Sequence, residues 1–227
     1  MKNIPKRKSE PSKRAKYRVL LVDDHPILRQ GLAQLISHEK DLSVCGQFEE
    51  ASKSLDAIGG LKPDAAIIDI SLKGASGIEL LKSIKSQYPE LKVLILSMHD
   101  ETLYAERALR AGASGYIMKQ EASERVLVAL RKILSGDIYL SDEMNSKLMH
   151  QLVNGRSTPT ASVMDRLSDR ELEVFGLIGQ GRGTRQIAEQ LHLSVKTIES
   201  HRAHIKEKLN LSNATELVHR AIQMRGE

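Results

Sequence analysis

Short apolar runs, each followed at once by a polar or charged side chain, constrain the fold of this chain most. Residues 19–22 precede Asp23 and Asp24, and residues 65–68 precede Asp69. Apolar runs of this length, alternating with helical stretches, are typical of buried parallel strands. If the two strands are neighbours, their carboxyl ends meet at one edge of a sheet, and we expect the three carboxylates to lie together there.

Two further runs end on side chains that suit a phosphoryl group. Ser97 follows residues 93–96, and Lys119 follows residues 115–118. A hydroxyl and an ammonium at the same edge supply a hydrogen-bond donor and a counter-charge. Clustered carboxylates repel one another unless a hard cation such as Mg2+ lies among them. A single acid at a loop end is most often a solvated cap, but this combination indicates Mg2+-dependent chemistry on a phosphoryl group or a carboxylate.

Strand and helix patterns alternate as far as residue 135. The predicted strands lie near 18–22, 42–48, 65–69, 92–96 and 114–117. The predicted helices lie near 26–38, 51–58, 77–87, 101–111 and 123–135. Five such βα units predict an α/β domain with a doubly wound, five-stranded parallel sheet over residues 17–135. Residues 136–164 are predicted to contain one helix, near 142–153, and then a polar, proline-containing linker.

Only helical patterns follow the linker, which predicts a small all-α domain over residues 165–227. Ser168 and Glu171 form a capping-box pattern at its start. Ser194 is a predicted N-cap, and it lies after a short turn that separates two helices. Two helices joined in this way are the helix-turn-helix pattern. Asn213 and Glu216 predict the cap of a last helix.

The helix after Ser194 has an apolar stripe and a polar face. We predict that the stripe is buried, and it consists of Val195, Ile198, Ile205 and Leu209. The other side chains suit contacts with DNA bases and phosphates. The predicted DNA-binding residues are Lys196, Thr197, Glu199, Ser200, His201, Arg202, Ala203 and Lys206. A protein-binding helical bundle with a solvated face is the alternative.

The net charge of +5 is concentrated in one segment. Residues 1–16 hold seven basic residues and one acidic residue, whereas residues 165–227 hold ten basic and nine acidic residues. We therefore predict a disordered basic tail at residues 1–16 rather than a dedicated DNA-binding arm. The single cysteine, Cys45, excludes an internal disulfide. Because no apolar run suits a membrane span or a signal peptide, we expect a cytoplasmic protein without membrane contact.

Two sets of residues resemble known families. Asp23, Asp24, Asp69, Ser97 and Lys119 together resemble the receiver domain of two-component response regulators. Residues 167–174, followed by 187–188 and 194–202, resemble the LuxR-type helix-turn-helix. In this order the chain resembles the NarL/FixJ subfamily, which implies a flavodoxin-like receiver followed by a DNA-binding domain.

The resemblance implies roles for the residues at the sheet edge. Asp69 would be the phosphoacceptor. Asp24 and Asp69 would bind Mg2+ directly, Asp23 would help through water, and the backbone carbonyl of Ser71 would be a further ligand. The implied phosphoryl-binding and switch residues are Ser97, Tyr116 and Lys119. Tyr116 would turn inward as Ser97 moves, whereas the alternative for Tyr116 is an edge-strand aromatic with its hydroxyl in water.

The resemblance also implies partners. A sensor histidine kinase would phosphorylate the protein, which would then bind paired DNA half-sites as a homodimer and regulate transcription, without being an enzyme. Two residues depart from the family pattern, since Lys73 and Gln120 stand where many relatives have proline. We therefore predict no cis peptide bond between Lys119 and Gln120.

Three rival functions remain open. The first is a Mg2+-dependent phosphohydrolase of the haloacid dehalogenase type. Such enzymes have a second acid two residues after the nucleophile, but this chain has Ser71 there, which leaves no general acid for the leaving group. A second rival is a DNA-binding protein that ignores phosphorylation and uses its receiver only for dimerisation. A third binds RNA or protein, although the helical domain lacks the clustered aromatic residues that stack on single-stranded bases.

Overall fold

The structure is a computed structural model that describes residues 16–73, 75–98, 101–153 and 166–223. The predicted basic tail, apart from Lys16, and the predicted linker after residue 153 lie outside these ranges. Within them, no helix is both long and apolar enough to cross a membrane.

Five parallel strands form one sheet. They are β1 (Tyr17–Val22), β2 (Leu42–Phe48), β3 (Ala65–Asp69), β6 (Lys92–Ser97) and β7 (Gly115–Met118), and their order in the sheet is β2-β1-β3-β6-β7. Val22 at the end of β1 pairs with Ile68, and Asp69 at the end of β3 pairs with Leu96. The neighbouring positions of β1 and β3 confirm that the three aspartates share one edge of a doubly wound sheet.

Helices cover both faces of this sheet. They are α1 (Pro26–Ser37), α2 (Ala51–Leu61), α3 (Gly77–Gln87), α4 (Glu101–Arg110) and α5 (Ala122–Leu134), and α6 (Asp142–Val153) follows them. Leu20 and Ile68 pack with residues of α2, α3 and α4, whereas Leu21 and Ile67 pack with residues of α1 and α5. Burial on both faces explains why the strands are continuously apolar rather than alternating.

Three short elements were not predicted. The strands β4 (Ser71–Leu72) and β5 (Ala75–Ser76) pair in an antiparallel manner after the sheet edge at Asp69. A turn of 3-10 helix, Lys119–Glu121, follows β7. Elements of two or three residues are too short to show a periodic pattern. All peptide bonds of the described residues are trans, including the one between Lys119 and Gln120.

The C-terminal region is all-helical, and its caps follow the sequence prediction. The helices are α7 (Asp169–Gly179), α8 (Thr184–Gln190), α9 (Val195–Lys208) and α10 (Ala214–Gln223). The amide of Glu171 donates to Ser168 Oγ at 3.3 Å, and the amide of Ser168 donates to Glu171 Oε2 at 2.7 Å. Ser194 Oγ accepts from the amide of Thr197 at 3.0 Å. Both interactions occupy amides that a helix N-terminus leaves unpaired.

The predicted apolar stripe of α9 is wrong at its first residue. Ile198 and Ile205 are completely buried, but Val195 is 40% exposed. Val195 begins the helix, where the chain has just turned at Ser194, so it projects beyond the surface that Ile198 covers. At the next helix the predicted cap is confirmed, because Asn213 Oδ1 accepts from the amide of Glu216 at 2.9 Å.

Gly77 allows the start of α3 to lie directly against the end of β3. A Cβ atom at this position would lie 2.0 Å from the carbonyl oxygen of Asp69. The amide of Gly77 donates to the carbonyl of Ile70 at 2.6 Å, which fixes the approach. Only glycine fits here without displacing the backbone that presents Asp69.

We predict that Gly77→Ala destabilises the protein by about 1–3 kcal/mol, because the added methyl group must push two backbone segments apart. The measurement is the free energy of unfolding in urea. Gly31→Ala is the matched control, since a Cβ atom at Gly31 in α1 would have no neighbour within 4 Å. That change should be neutral or stabilising by up to about 1 kcal/mol. Equal stability of the Gly77→Ala variant and the wild type would contradict the close approach.

Candidate functional site

Three carboxylates lie buried at the carboxyl edge of the sheet. Asp23 and Asp24 directly follow β1 and Asp69 ends β3, and their exposed fractions are 3%, 8% and 1%. Buried carboxylates must have a compensating charge or hydrogen bonds, because removing them from water is unfavourable. The partners of these three groups therefore define the site.

Lys119 supplies one compensating charge. It begins the turn after β7 and is itself buried. Its Nζ lies 2.6 Å from Asp69 Oδ2 and 2.9 Å from Asp23 Oδ2. The structure thus brings the predicted counter-charge to the predicted acceptor, and the ion pair joins the ends of β3 and β7, which are not adjacent in the sheet.

Two buried oxygen atoms of the cluster accept no hydrogen bond. Asp23 Oδ2 lies near Lys119 and Asp24 Oδ1 lies near His25, but neither contact has hydrogen-bond geometry. Burial raises the pKa of Asp24, and the carboxylates of Asp69 and Asp23 raise it further, whereas His25 and Lys119 oppose the shift. An excess of buried negative charge with unsatisfied oxygens is the environment that a hard cation stabilises.

His25 is a member of the cluster that the sequence analysis missed. Its Nδ1 lies 2.7 Å from Asp24 Oδ1, 3.2 Å from Asp23 Oδ1 and 3.3 Å from Lys119 Nζ. The pKa of His25 is raised, chiefly by its interaction with Asp69, even though Asp69 Oδ2 is the most distant of these groups at 3.7 Å. The available signal was its position in the chain, directly between the aspartate pair and Pro26, which begins α1.

Ser97 and Tyr116 both lie in the interior. Ser97 ends β6 and is completely buried, in the strand that pairs with β3. Tyr116 in β7 also has no exposed surface. The alternative in which the Tyr116 hydroxyl faces water is therefore wrong, and the ring already occupies an inward position.

Ser71 links the sheet edge to the C-terminal region. Its amide donates to Asp69 Oδ1 at 3.2 Å. Its hydroxyl donates to Glu173 Oε1 of α7, and Glu173 is completely buried and also binds Arg170. No pattern in the sequence indicates this contact, since Glu173 is separated from Ser71 by about a hundred residues.

Further contacts dock the start of α7 onto the α/β domain. Asp169, which is buried, lies 2.7 Å from Lys82 Nζ and 3.1 Å from an Arg107 nitrogen. Arg107 also donates to the carbonyl of Leu167 at 2.6 Å. Tyr104, whose pKa burial raises well above its usual value, donates its hydroxyl to the carbonyl of Leu172 at 3.0 Å. The two regions are thus joined by ion pairs and by main-chain hydrogen bonds.

A cavity of about 740 Å³ lies between the two regions beside the carboxylates. Lys119 and His25 line it from the α/β domain, and Leu177 and Arg182 line it from α7 and the loop that follows. His192 Nε2, in the turn after α8, lies 3.7 Å from Asp24 Oδ2. The helical domain therefore lies next to the acidic site and covers one side of it.

The predicted DNA-binding face of α9 is not part of this contact. Lys196, Glu199, Ser200 and Ala203 are exposed, whereas Thr197, His201, Arg202 and Lys206 are half-buried. Thr197 Oγ1 lies 2.8 Å from Ser194 Oγ at the helix cap. Burial lowers the pKa of both His201 and Arg202. The structure thus leaves the polar centre of the predicted face open, with some predicted contacts partly covered.

Comparisons with known proteins match both regions. Residues 19–131 match the response regulator receiver domain, and residues 165–221 match the bacterial regulatory proteins of the luxR family. The oxygen regulatory protein NreC of Staphylococcus aureus is 35% identical over 210 residues, which are 91% of this chain and 97% of that protein. NreC of Staphylococcus haemolyticus matches to the same extent.

Solved structures of RcsB from Salmonella are similar in fold. RcsB of Salmonella enterica serovar Typhimurium, bound to promoter rprA with the phosphomimetic BeF3-, has a TM-score of 0.58 at 27% identity, covering 90% of this chain and 98% of that one. A second RcsB structure from Salmonella typhimurium has a TM-score of 0.62 at 28% identity, covering 92% and 98% of the two chains.

The order of the two matched regions, the parallel sheet with its acidic edge and the extent of the NreC match agree with one another. The chain belongs to the two-component response regulators of the NarL/FixJ subfamily, which are transcription regulators that join a receiver domain to a LuxR-type DNA-binding helix-turn-helix.

Proposed function

We propose that Asp69 accepts a phosphoryl group from a sensor histidine kinase and that this modification controls DNA binding through α9. The observation that carries the proposal is the buried cluster in which Asp69 lies 2.6 Å from Lys119 and shares a sheet edge with Asp23 and Asp24. In the transfer, an Asp69 carboxylate oxygen attacks phosphorus. A P–O bond forms, the P–N bond to the kinase histidine breaks, and the imidazole leaves with the bonding electron pair.

The residues fit a Mg2+ ion, because the cluster offers buried carboxylate oxygens, two of which accept no hydrogen bond. Asp24 and Asp69 would hold it directly, with Asp23 acting through water and Ser71 through its backbone carbonyl. When bound, Mg2+ neutralises charge on the carboxylates and on the transferred phosphoryl group. The ammonium of Lys119 would pair with the transferred phosphoryl group, and the hydroxyl of Ser97 would donate a hydrogen bond to that group.

The contact between Ser71 and Glu173 supplies a route from the acceptor to the DNA-binding region. Ser71 is bonded to Asp69 through its amide and to α7 through its hydroxyl. A phosphoryl group on Asp69 adds nearly two negative charges beside this contact. Since Glu173 is a buried acid paired with Arg170, the added negative charge disfavours the docked arrangement of α7.

Binding to DNA is proposed to use the exposed face of α9 on paired half-sites. The relatives support this, since structures of RcsB contain promoter DNA and one contains dimers on DNA. Lys196 and Ser200 are exposed at the centre of the face. Two copies bound side by side would place two such helices on a two-fold symmetric site. We propose a homodimer for the phosphorylated state, acting in the cytoplasm.

The first prediction from the proposed function concerns the phosphoacceptor. Asp69→Asn should abolish labelling by phosphoramidate in Mg2+, because the amide has no free carboxylate oxygen to attack phosphorus. Labelling is measured by intact-protein mass spectrometry. Asp56→Asn, at an exposed position of α2, is the control and should be labelled like the wild type. Undiminished labelling of the Asp69→Asn variant would refute the assignment.

The second prediction concerns docking. Arg107→Ala removes contacts to Asp169 and to the carbonyl of Leu167, so it should weaken docking. If docking restrains the acceptor, the variant should be labelled faster, by about fivefold or more, because a larger fraction of its molecules is undocked and competent for the transfer. The labelling rate with phosphoramidate is the measurement, and Lys40→Ala, at an exposed loop position, is the control. An unchanged labelling rate in a variant whose linker is cut faster by a protease than that of the wild type would show that docking does not restrain the acceptor.

The third prediction concerns α9. Lys196→Ala should weaken DNA binding about equally across sequences and reduce the slope of log affinity against log salt by about one, because one phosphate contact is lost. The measurement is a salt series of fluorescence anisotropy with a selected DNA site. Lys53→Ala, in the receiver, is the control and should leave the slope unchanged. If Lys196→Ala leaves the slope unchanged, Lys196 of α9 does not contact a DNA phosphate.

A further inference from the structure

We propose that His25 is a nitrogen ligand of the metal at this site, and that it gives the site a higher affinity for Mn2+ and Co2+ than for Mg2+. The inference rests on the proposed function, since it concerns the same metal. The proposed function assigns only oxygen ligands to this metal. A nitrogen ligand from His25 would make the site favour transition-metal ions, which the three carboxylates alone do not do.

The position of the imidazole nitrogen carries the inference. His25 Nδ1 lies 2.7, 3.2 and 3.7 Å from oxygens of Asp24, Asp23 and Asp69. Adjacent ligands of an octahedral ion with bonds of about 2.1 Å lie about 3.0 Å apart. One ligand atom from each of the four residues lies within 4.8 Å of all the others, which is slightly more than the distance of about 4.2 Å between opposite ligands of such an ion.

The unsatisfied oxygens are an independent observation. Asp23 Oδ2 and Asp24 Oδ1 are buried and accept no hydrogen bond, and each lies close to a nitrogen-bearing group of the cluster. The His25 ring makes one hydrogen bond to these acids, between Nδ1 and Asp23 Oδ1 at 3.2 Å, and Asp23 Oδ2 and Asp24 Oδ1 remain unsatisfied beside it. Buried carboxylate oxygens that no donor satisfies are available to a cation.

The backbone holds the ring over the cluster. The amide of His25 donates to Asp23 Oδ1 at 2.7 Å, and its backbone is extended with φ −88° and ψ 103°. The following residue, Pro26, disfavours the helical alternative for His25. The imidazole is therefore presented to the acids by main-chain restraints, before any ion binds.

The imidazole nitrogen of His25 increases the affinity of the site only for ions that accept nitrogen ligands. Mg2+ prefers oxygen ligands and keeps several waters, whereas imidazole suits first-row transition ions, with affinity rising from Mn2+ to Co2+. The side chain of His25 is 60% exposed, so the ring has room to turn outward when Mg2+ takes water in its place. The affinity for Mg2+ therefore does not depend on His25, whereas the affinities for Mn2+ and Co2+ are increased by it.

The test is metal binding by the full-length protein, purified without a histidine tag. His25→Ala should lower the affinity for Mn2+ and Co2+ by about tenfold or more and leave the affinity for Mg2+ within about twofold of the wild type. Pulsed EPR of bound Mn2+ gives a second readout, a nitrogen coupling from directly bound imidazole, which the variant should lose. His38→Ala, at the exposed end of α1, is the control and should behave like the wild type.

The results separate this inference from the proposed function. Equal affinities of the wild type and His25→Ala for Mn2+ and Co2+, an equal loss for all three ions, or a persistent nitrogen coupling would overturn the role of His25. Asp24→Asn tests the site itself, because it should weaken all three ions. If Asp24→Asn binds them as the wild type does, the proposed metal site is wrong, whatever His25 does.

Discussion

The rest of the structure depends on the burial of three carboxylates at one edge of a parallel sheet. Taking like charges out of water is unfavourable unless cations or hydrogen bonds compensate them. The chain meets this constraint with Lys119, directly after β7, and His25, directly before α1, and the Lys119 pair draws the ends of distant segments together. The compensation is incomplete, since two oxygens remain unsatisfied. Incomplete compensation leaves the site responsive to an added cation, in a way that a fully neutralised cluster would not be.

The same edge is also the contact surface for the second domain. Ser71 lies two residues beyond Asp69, and hydrogen bonds of Ser71 run to Asp69 and to Glu173. Farther from the acceptor, Asp169 pairs with Lys82 and Arg107. Charges on both sides of the interface therefore determine its stability, and interactions of this kind respond to a new charge placed nearby. Chemistry at Asp69 and the position of α7 are linked by one short chain of contacts.

The sequence predicted the sheet, its order of βα units and the acidic edge, because continuous apolar runs and the residues that follow them are local patterns. The caps at Ser168 and Ser194 were predictable for the same reason. Glu173, Gly77 and His25 were not identified. The partner of Glu173 is distant in the chain, and the need for glycine at residue 77 comes from a backbone contact with Asp69. The ring of His25 comes close to Asp69 only through the fold. Val195 was wrongly predicted to be buried, because the periodicity of apolar residues does not show how the first turn of a helix lies relative to neighbouring helices.

The exposure of α9 limits how phosphorylation can act. Lys196 and Glu199 are open to solvent while α7 is docked, so release of α7 does not need to uncover them. A single LuxR-type domain offers only a few phosphate contacts, and its nearly neutral charge gives modest affinity by itself. Two linked domains on paired half-sites gain affinity from their joint attachment. Under the function we propose, phosphorylation then controls how two copies come together on DNA rather than whether α9 is exposed.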